Sequence, residues 1–256
     1  MNPLNQFNLS GKKALITGSS QGIGYALANG LAGAGASVIL NGTNEEKLSS
    51  AAKRLRSQGF NVDELPCDVT DPQAIKQAID GYESSNGEID ILINNAGMQH
   101  RTTLEQFPVD KFDQLMHLNI NAVFYVSQAV AQHMIKRGKG KIVNICSVQS
   151  ALARPSIAPY TASKGAVVNL TKGMATDWAK HGLNINGLAP GYFKTELTEA
   201  LVNDKEFTQW LENRTPAGRW GDVEELVGST IFLCSEASTF VNGQVIYVDG
   251  GITACL

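Results

Sequence analysis

Tyr160 and Lys164 stand four residues apart, and Ser147 precedes the tyrosine by thirteen. On a helix, a spacing of four puts two side chains on one face, one turn apart. An ammonium group there favours the ionised form of a neighbouring phenol, so that phenol can give or take a proton near neutral pH. Interconverting a carbonyl and an alcohol needs that proton exchange. A Tyr-x-x-x-Lys pair also arises by chance on exposed helix faces, so its weight depends on the rest of the chain.

A second constellation lies near the start. Thr17-Gly18-Ser19-Ser20-Gln21-Gly22-Ile23-Gly24 follows the apolar run Ala14-Leu15-Ile16 and precedes a helical pattern carrying Ala26, Leu27, Leu31 and Ala34. Glycines spaced G-x-x-x-G-x-G allow a tight strand-to-helix turn and let backbone N–H groups approach a pyrophosphate at a helix N-terminus. Alone, such a cluster often marks only a turn. Here Asn94-Asn95-Ala96-Gly97, Asn119, Ser147, Tyr160, Lys164 and Pro190-Gly191 follow it in order.

The elements that must position these residues alternate strand and helix. Strands are expected at residues 14–17, 38–41, 62–67, 89–94, 141–145, 184–188 and 245–248. Several are continuous apolar runs, as strands buried on both faces require. Helical patterns fill the gaps, notably 45–57, 72–85, 109–137 and 159–181, with Gly182 at the last C-terminus. The pattern implies an α/β fold in one domain over residues 1–256: a Rossmann-type, doubly wound, mainly seven-stranded parallel sheet with helices on both faces. Asn94, Ser147 and Pro190 all fall at carboxyl ends of strands, the rim where open α/β sheets bind ligands. Residues 192–221 break the alternation, with helix-like stretches at 196–202 and 206–213.

Bulk properties narrow the functional classes. A length of 256 residues suits one large α/β domain, and a net charge of −3 argues against a nucleic-acid surface. The basic run Lys136 to Lys141 reads as a solvated helix end. The four cysteines, Cys67, Cys146, Cys234 and Cys255, lack the spacing of a zinc site or disulfide framework. Cys255 could be exposed, and the others read as small buried hydrophobes. His100, His117, His133 and His181 show no metal spacing and read as surface or helix-packing residues. No leader or long apolar span is visible, so a cytoplasmic protein with no membrane partner is expected.

Taken together, these motifs resemble the short-chain dehydrogenase/reductase family from about residue 9 to residue 251. The resemblance implies that Tyr160 is the general acid or base, that Lys164 supports it and reaches the cofactor ribose, and that Ser147 hydrogen-bonds the substrate oxygen. Asn119 matches the position that holds a water in the family's proton relay. Cofactor contacts are implied for Gly18, Ser20, Gln21, Gly22, Ile23, Gly24, Asn95 with Ala96, and Asp68 and Val69 beside the adenine. Phe193 and Thr195 are implied beside the nicotinamide. Ser147 could also be a turn cap, Asn119 a kink-stabilising residue, and Asn94 and Asn95 strand ties. The segment 192–221 would cover the substrate, although a plain surface helix pair fits it as well. By the same resemblance a homotetramer is expected.

Cofactor choice turns on Leu40-Asn41-Gly42-Thr43-Asn44. Gly42 falls where NAD enzymes of the family carry an aspartate, and Gln21 and Thr43 fall where NADP enzymes carry arginine. Thr43 and Asn44 can donate neutral hydrogen bonds, and the following helix adds its positive end. NADP(H) is therefore preferred, with NAD(H) possible. The stretches 94–101 and 214–221 resemble the branch of the family that interconverts gluconate and its 5-keto form. Arg101, ahead of Arg154, is then the expected partner of a sugar-acid carboxylate, while either arginine could instead serve a surface ion pair. The rivals are a reductase of another small keto acid, ketose or 3-oxoacyl thioester, and a cofactor-binding regulator without turnover.

Overall fold

Short apolar runs rich in Val, Ile and Leu become strands β1 (Lys13–Ile16), β2 (Ser37–Gly42), β3 (Val62–Pro66), β4 (Ile91–Asn94), β5 (Gly140–Ile145), β6 (Leu183–Pro190) and β7 (Val245–Val248). In the computed structural model, which describes residues 2–255, they form one parallel sheet in the order β3-β2-β1-β4-β5-β6-β7. The order reverses between β1 and β4, the switch point at which open α/β sheets form a crevice at the carboxyl ends of their strands. Each strand lies within two residues of its expected limits.

Alternate residues of the strands feed two cores. Ala14, Ile16, Val38, Leu40 and Ile93 pack with Leu27 and Leu31 of α1 (Gly22–Gly33) and Leu48 and Leu55 of α2 (Glu45–Arg56). Leu15, Ile39, Leu92 and Ile142 face the other way. They meet Ile75 and Ile79 of α3 (Pro72–Asn86), with Val126, Val130 and Met134 of α5 (Ala122–Arg137) beside them. The remaining helices are α4 (Val109–Met116), α6 (Ala158–Trp178), α7 (Glu199–Val202), α8 (Lys205–Arg214) and α9 (Val227–Cys234).

Three departures from the sequence reading bear on the site. The stretch expected as one helix over 109–137 is interrupted by a π-turn, His117–Asn121, where the Ala122 N–H bonds the His117 carbonyl five residues back. The helix expected from residue 196 begins at Glu199, because Thr198 Oγ1 bonds the Phe193 carbonyl at 2.6 Å and holds residues 195–198 as a turn. Cys255 is half-buried, with its sulfur 2.9 Å from Arg214 Nη1.

Candidate active site

Two glycines bring the first loop down onto its neighbours. Gly18 has φ +61°, and a Cβ there would lie 2.9 Å from the Ala96 backbone; one at Gly24 would lie 2.4 Å from Asn95 Nδ2. Asn95 in turn donates to the carbonyls of Thr17 and Gly18 at 2.9 and 3.0 Å. The loops after β1 and β4 are thus fastened together, with α1 opening at Gly22 toward the crevice. Asn94 lies behind this rim, where it ties β4 to β5 through Asn144 Oδ1 and to α5 through Ser127 Oγ, both at 2.8 Å.

The crevice holds a cavity of about 760 Å³. Its lining includes Gly18, Ser20, Gln21, Gly22, Ile23 and Gly24 at one wall, and Thr43, Asp68, Val69 and Asn95 toward the edge strands. Ser147, Tyr160, Lys164, Phe193, Arg101 and Arg154 also line it, and Thr195 lines it against Gly22. Of the residues singled out from sequence, Asn119 stands just behind this lining, and the Phe193 ring turns away to pack on Gly221. Only the main chain of Phe193 is then left for the cavity side.

Local folding fixes the catalytic corner. Ser147 caps the short turn Val148–Ser150, and its Oγ accepts from the Gln149 N–H at 3.1 Å. A hydroxyl that accepts in this way keeps its own proton free to donate. One helical turn separates Tyr160 and Lys164 on α6, with the buried Lys164 ammonium 5.8 Å from the phenol ring centre. That ammonium donates to the Ile145 carbonyl at 2.7 Å, which aims it at the end of β5. Asn119 accepts from the Met98 N–H at 2.9 Å and donates to the Met98 carbonyl at 3.0 Å. Its amide also reaches Ser163 Oγ at 3.1 Å. The π-turn presents Asn119 to both partners.

The wall beside this corner is electrostatically different. Neither Arg101 nor Arg154 pairs with a carboxylate among the described residues. The Nε atoms of both are closed to solvent without a partner. Burial, with the nearby Arg154 guanidinium second, pulls Arg101 below the usual arginine pKa. Arg154 lies over the Phe207 ring at 5.4 Å, and Arg101 touches Gln99 at 2.7 Å. Two like charges held at a half-buried wall without a counter-ion fit an anionic ligand.

At the adenosine end, Asn44 spends its side-chain carbonyl on capping α2, accepting from the Lys47 N–H at 2.8 Å. Glu45 and Glu46 occupy the first turn and offset the positive end of that helix. Lys47 lines the cavity as a cation. Its sequence position, in the first turn of a charged helix, does not set it apart from a solvated lysine. Gln149 and Tyr192 also line the cavity without having been singled out.

Whether a dinucleotide suits these residues can be tested on the cradle itself. Gly18 and Gly22 both have positive φ, the wall is nearly neutral, and the α1 N-terminus opens onto it. A carboxylate oxygen of Glu196 stands 3.3 Å from where a Gly22 Cβ would be, and that side chain is exposed and free to turn. The residues fit the group.

Residues 18–253 match the family model described as enoyl-(acyl carrier protein) reductase. With the Gly-rich loop, the Ser147–Tyr160–Lys164 corner and the seven-stranded sheet, this shows that the chain belongs to the short-chain dehydrogenase/reductase family. As a member it is an oxidoreductase acting on CH–OH groups. Among individual proteins, it is 64% identical to gluconate 5-dehydrogenase of Gluconobacter oxydans, over 98% of each chain. It is 50% identical to 5-keto-D-gluconate 5-reductase of Escherichia coli, over 96% of this chain and 97% of the relative. Its fold matches the crystal structure of a gluconate 5-dehydrogenase from Burkholderia cenocepacia in complex with NADP and tartrate. There the TM-score is 0.97, with 57% identity and 99% of each chain covered.

Proposed function

We propose that the protein interconverts 5-keto-D-gluconate and D-gluconate, with NADP(H) preferred over NAD(H). The observation that carries the substrate class is the pair of arginines, Arg101 and Arg154, facing the cavity without a carboxylate of the protein's own. The names of the relatives, and the tartrate with the Burkholderia protein, support the same class. An apolar acyl thioester would leave both guanidinium groups desolvated and unpaired, which disfavours that rival. For the cofactor, NADP in the Burkholderia structure, the missing carboxylate at Gly42 and the cation at Lys47 agree.

A bound nicotinamide supplies or takes the hydride. Tyr160 moves the proton, giving it to the substrate oxygen in reduction and taking it in oxidation. Ser147 donates its free O–H to the same oxygen and stabilises negative charge as it develops there. Lys164, fixed by the Ile145 carbonyl, keeps a positive charge beside Tyr160 and toward the ribose side of the cavity. Asn119 holds Met98 and Ser163, and so stiffens the wall behind Tyr160; by resemblance it also holds the relay water. Arg101 and Arg154 take the substrate carboxylate. Gly18 to Gly24 hold the pyrophosphate, and Asp68, Val69 and Asn95 flank the adenosine. Thr195 and the main chain of Phe193 sit at the nicotinamide.

The chain acts as one domain, in which residues 192–221 cover the substrate. Among the described residues no helix is long and apolar enough to cross a membrane, which agrees with work in the cytoplasm. Exposed apolar side chains on α4 and α5, including Val109, Phe112 and Phe124, and Tyr247 on the edge strand β7 support assembly as a homotetramer. The deciding assay follows reduced-nicotinamide absorbance with 5-ketogluconate, neutral ketoses and 3-oxoacyl thioesters under one set of conditions. The keto sugar acid is expected to turn over fastest. A preference for the thioester would overturn the reading.

A further inference from the structure

Two residues past the Ser147 cap, the Gln149 side chain is buried and only half used. Its Nε2 donates to the Tyr192 hydroxyl at 3.2 Å, while its Oε1 is closed to bulk water and has no partner. A buried amide oxygen left unpaired is costly, and turning the amide over would only leave the NH₂ unpaired instead. The cost is fixed into the fold at both ends. The Gln149 main chain is held by Ser147 Oγ at 3.1 Å. The Tyr192 ring stands 5.8, 6.3 and 6.0 Å from Phe207, Trp210 and Trp220, an aromatic cluster in the covering segment. Gln149 and Tyr192 border the same cavity as Ser147, Tyr160, Arg101 and Arg154.

We infer that Gln149, positioned by Tyr192, is the specificity-determining residue that accepts a hydrogen bond from the substrate hydroxyl next to the reacting carbon. The inference rests on the proposed reaction at this site and names what else the site reads. Ser147 meets the reacting oxygen, and two residues of one tight turn link it to Gln149. An acceptor tied to Ser147 at that short range reaches the neighbouring carbon of the substrate, not the distant carboxylate, which belongs to the arginines. An amide oxygen can accept from a hydroxyl but not from a methylene. The site should therefore favour α-hydroxy ketones over ketones that lack the hydroxyl.

The test uses an uncharged pair, a hydroxymethyl ketone and the methyl ketone of equal length, so that it does not depend on the carboxylate. Both kcat/KM and the Kd for cofactor-loaded enzyme are measured, the latter from tryptophan fluorescence, since Trp210 and Trp220 adjoin Tyr192. In the wild type the hydroxylated ketone should lead by at least about tenfold, the worth of one hydrogen bond to a buried acceptor. Gln149→Met, close in shape but without an acceptor, should bring that ratio to within about twofold, and Gln149→Glu, which still accepts, should keep it. Should the methionine variant fail to fold, Tyr192→Phe removes the support of the amide and should cut the ratio at least about threefold. A wild-type enzyme without the preference, or a preference that survives Gln149→Met or Tyr192→Phe, overturns the inference, as does loss of the preference in Gln149→Glu. Wild-type turnover of 5-ketogluconate is assayed in parallel. Its absence with the hydroxyl ratio intact would sink the proposed substrate and leave Gln149 in its role.

Discussion

The catalytic corner and the substrate wall beside it are built on opposite rules. At the catalytic corner the side chains around Tyr160 each have a protein partner: Ser147 has Gln149, Lys164 has Ile145, and Asn119 has Met98 and Ser163. At the substrate wall Arg101, Arg154 and Gln149 each keep a buried polar atom without one. Satisfied groups hold a geometry, so the corner can be ready before substrate arrives. Unsatisfied groups hold a debt that a ligand can settle, which makes that wall selective. Substitutions at the corner should therefore cut turnover for all substrates alike, and those at the substrate wall should cut it unequally.

The largest effect is expected from Tyr160→Phe, which keeps the ring and removes the proton. Turnover should fall at least about 10²-fold, the low end for a general acid or base, with every substrate affected in proportion. Cofactor titration should show binding largely retained. Near-normal turnover would break the comparison at its stronger end, because the corner would then be ordered for a purpose other than proton transfer.

Arg101→Ala should cost the keto sugar acid about 1.5–3 kcal/mol in kcat/KM, or roughly 10- to 150-fold, from loss of a charge-assisted hydrogen bond. A neutral ketone of similar size should lose much less. It is not expected to gain binding either, because the substitution adds no contact to a neutral ligand. Equal losses on both substrates would mean that Arg101 supports the wall instead of reading the charge.

This division also explains what could be read from sequence. The sheet was legible because its strands are apolar runs broken by glycine and polar turns, and strand ends placed Asn94, Ser147 and Pro190 on one rim, although Asn94 lies just behind it and ties β4 to its neighbours. The π-turn at His117–Asn121 was not, because Leu115, Leu118, Ala122 and Val126 keep a helix-like spacing through it. The extra residue serves Met98, which is distant in the chain. Nor was Lys47 legible, since a lysine in the first turns of a charged helix reads as solvated. In the fold it borders the cavity all the same. For Ser147 and Asn119 the structural alternatives are seen, since one caps a turn and the other sits in a helix irregularity, and neither role excludes the proposed chemistry.

The cofactor end should give a smaller effect. Wild-type kcat/KM with NADPH should exceed that with NADH by a modest factor, about tenfold or less, since Lys47 is an exposed cation and no arginine fork lines the site. Gly42→Asp should reverse the order. A Cβ at Gly42 meets only Leu48 at 3.8 Å and Ser20 at 3.9 Å, so the new carboxylate fits without strain. There it would repel a 2′-phosphate and accept from ribose hydroxyls. Both cofactors should be compared on both proteins at one ionic strength. A wild-type enzyme that favours NADH would place this end with the ordered corner instead of the selective wall.

The smallest effect concerns how the covering segment is anchored. Arg219 grips Glu225 with two hydrogen bonds, at 2.8 and 2.7 Å, and the same carboxylate accepts from the Asp222 N–H at 2.9 Å. These contacts, the Arg219 bond first, hold the Glu225 pKa down to about 2. A carboxyl depressed in the folded state adds stability that is fully present above its unfolded pKa, near 4.5, and is lost as the pH falls toward 2. Both partners are exposed, so solvent screening keeps the contribution small. Glu225→Gln should therefore lower Tm at neutral pH by no more than about 2 °C. The gap between variant and wild type should close as acid protonates Glu225, over a window from about pH 4.5 down to 2. Thermal melts across that range provide the measurement. A gap that widened in acid would contradict the sign of the linkage. A drop of many degrees at neutral pH would mean that the cover over the selective wall depends on this one clasp, not on its aromatic cluster.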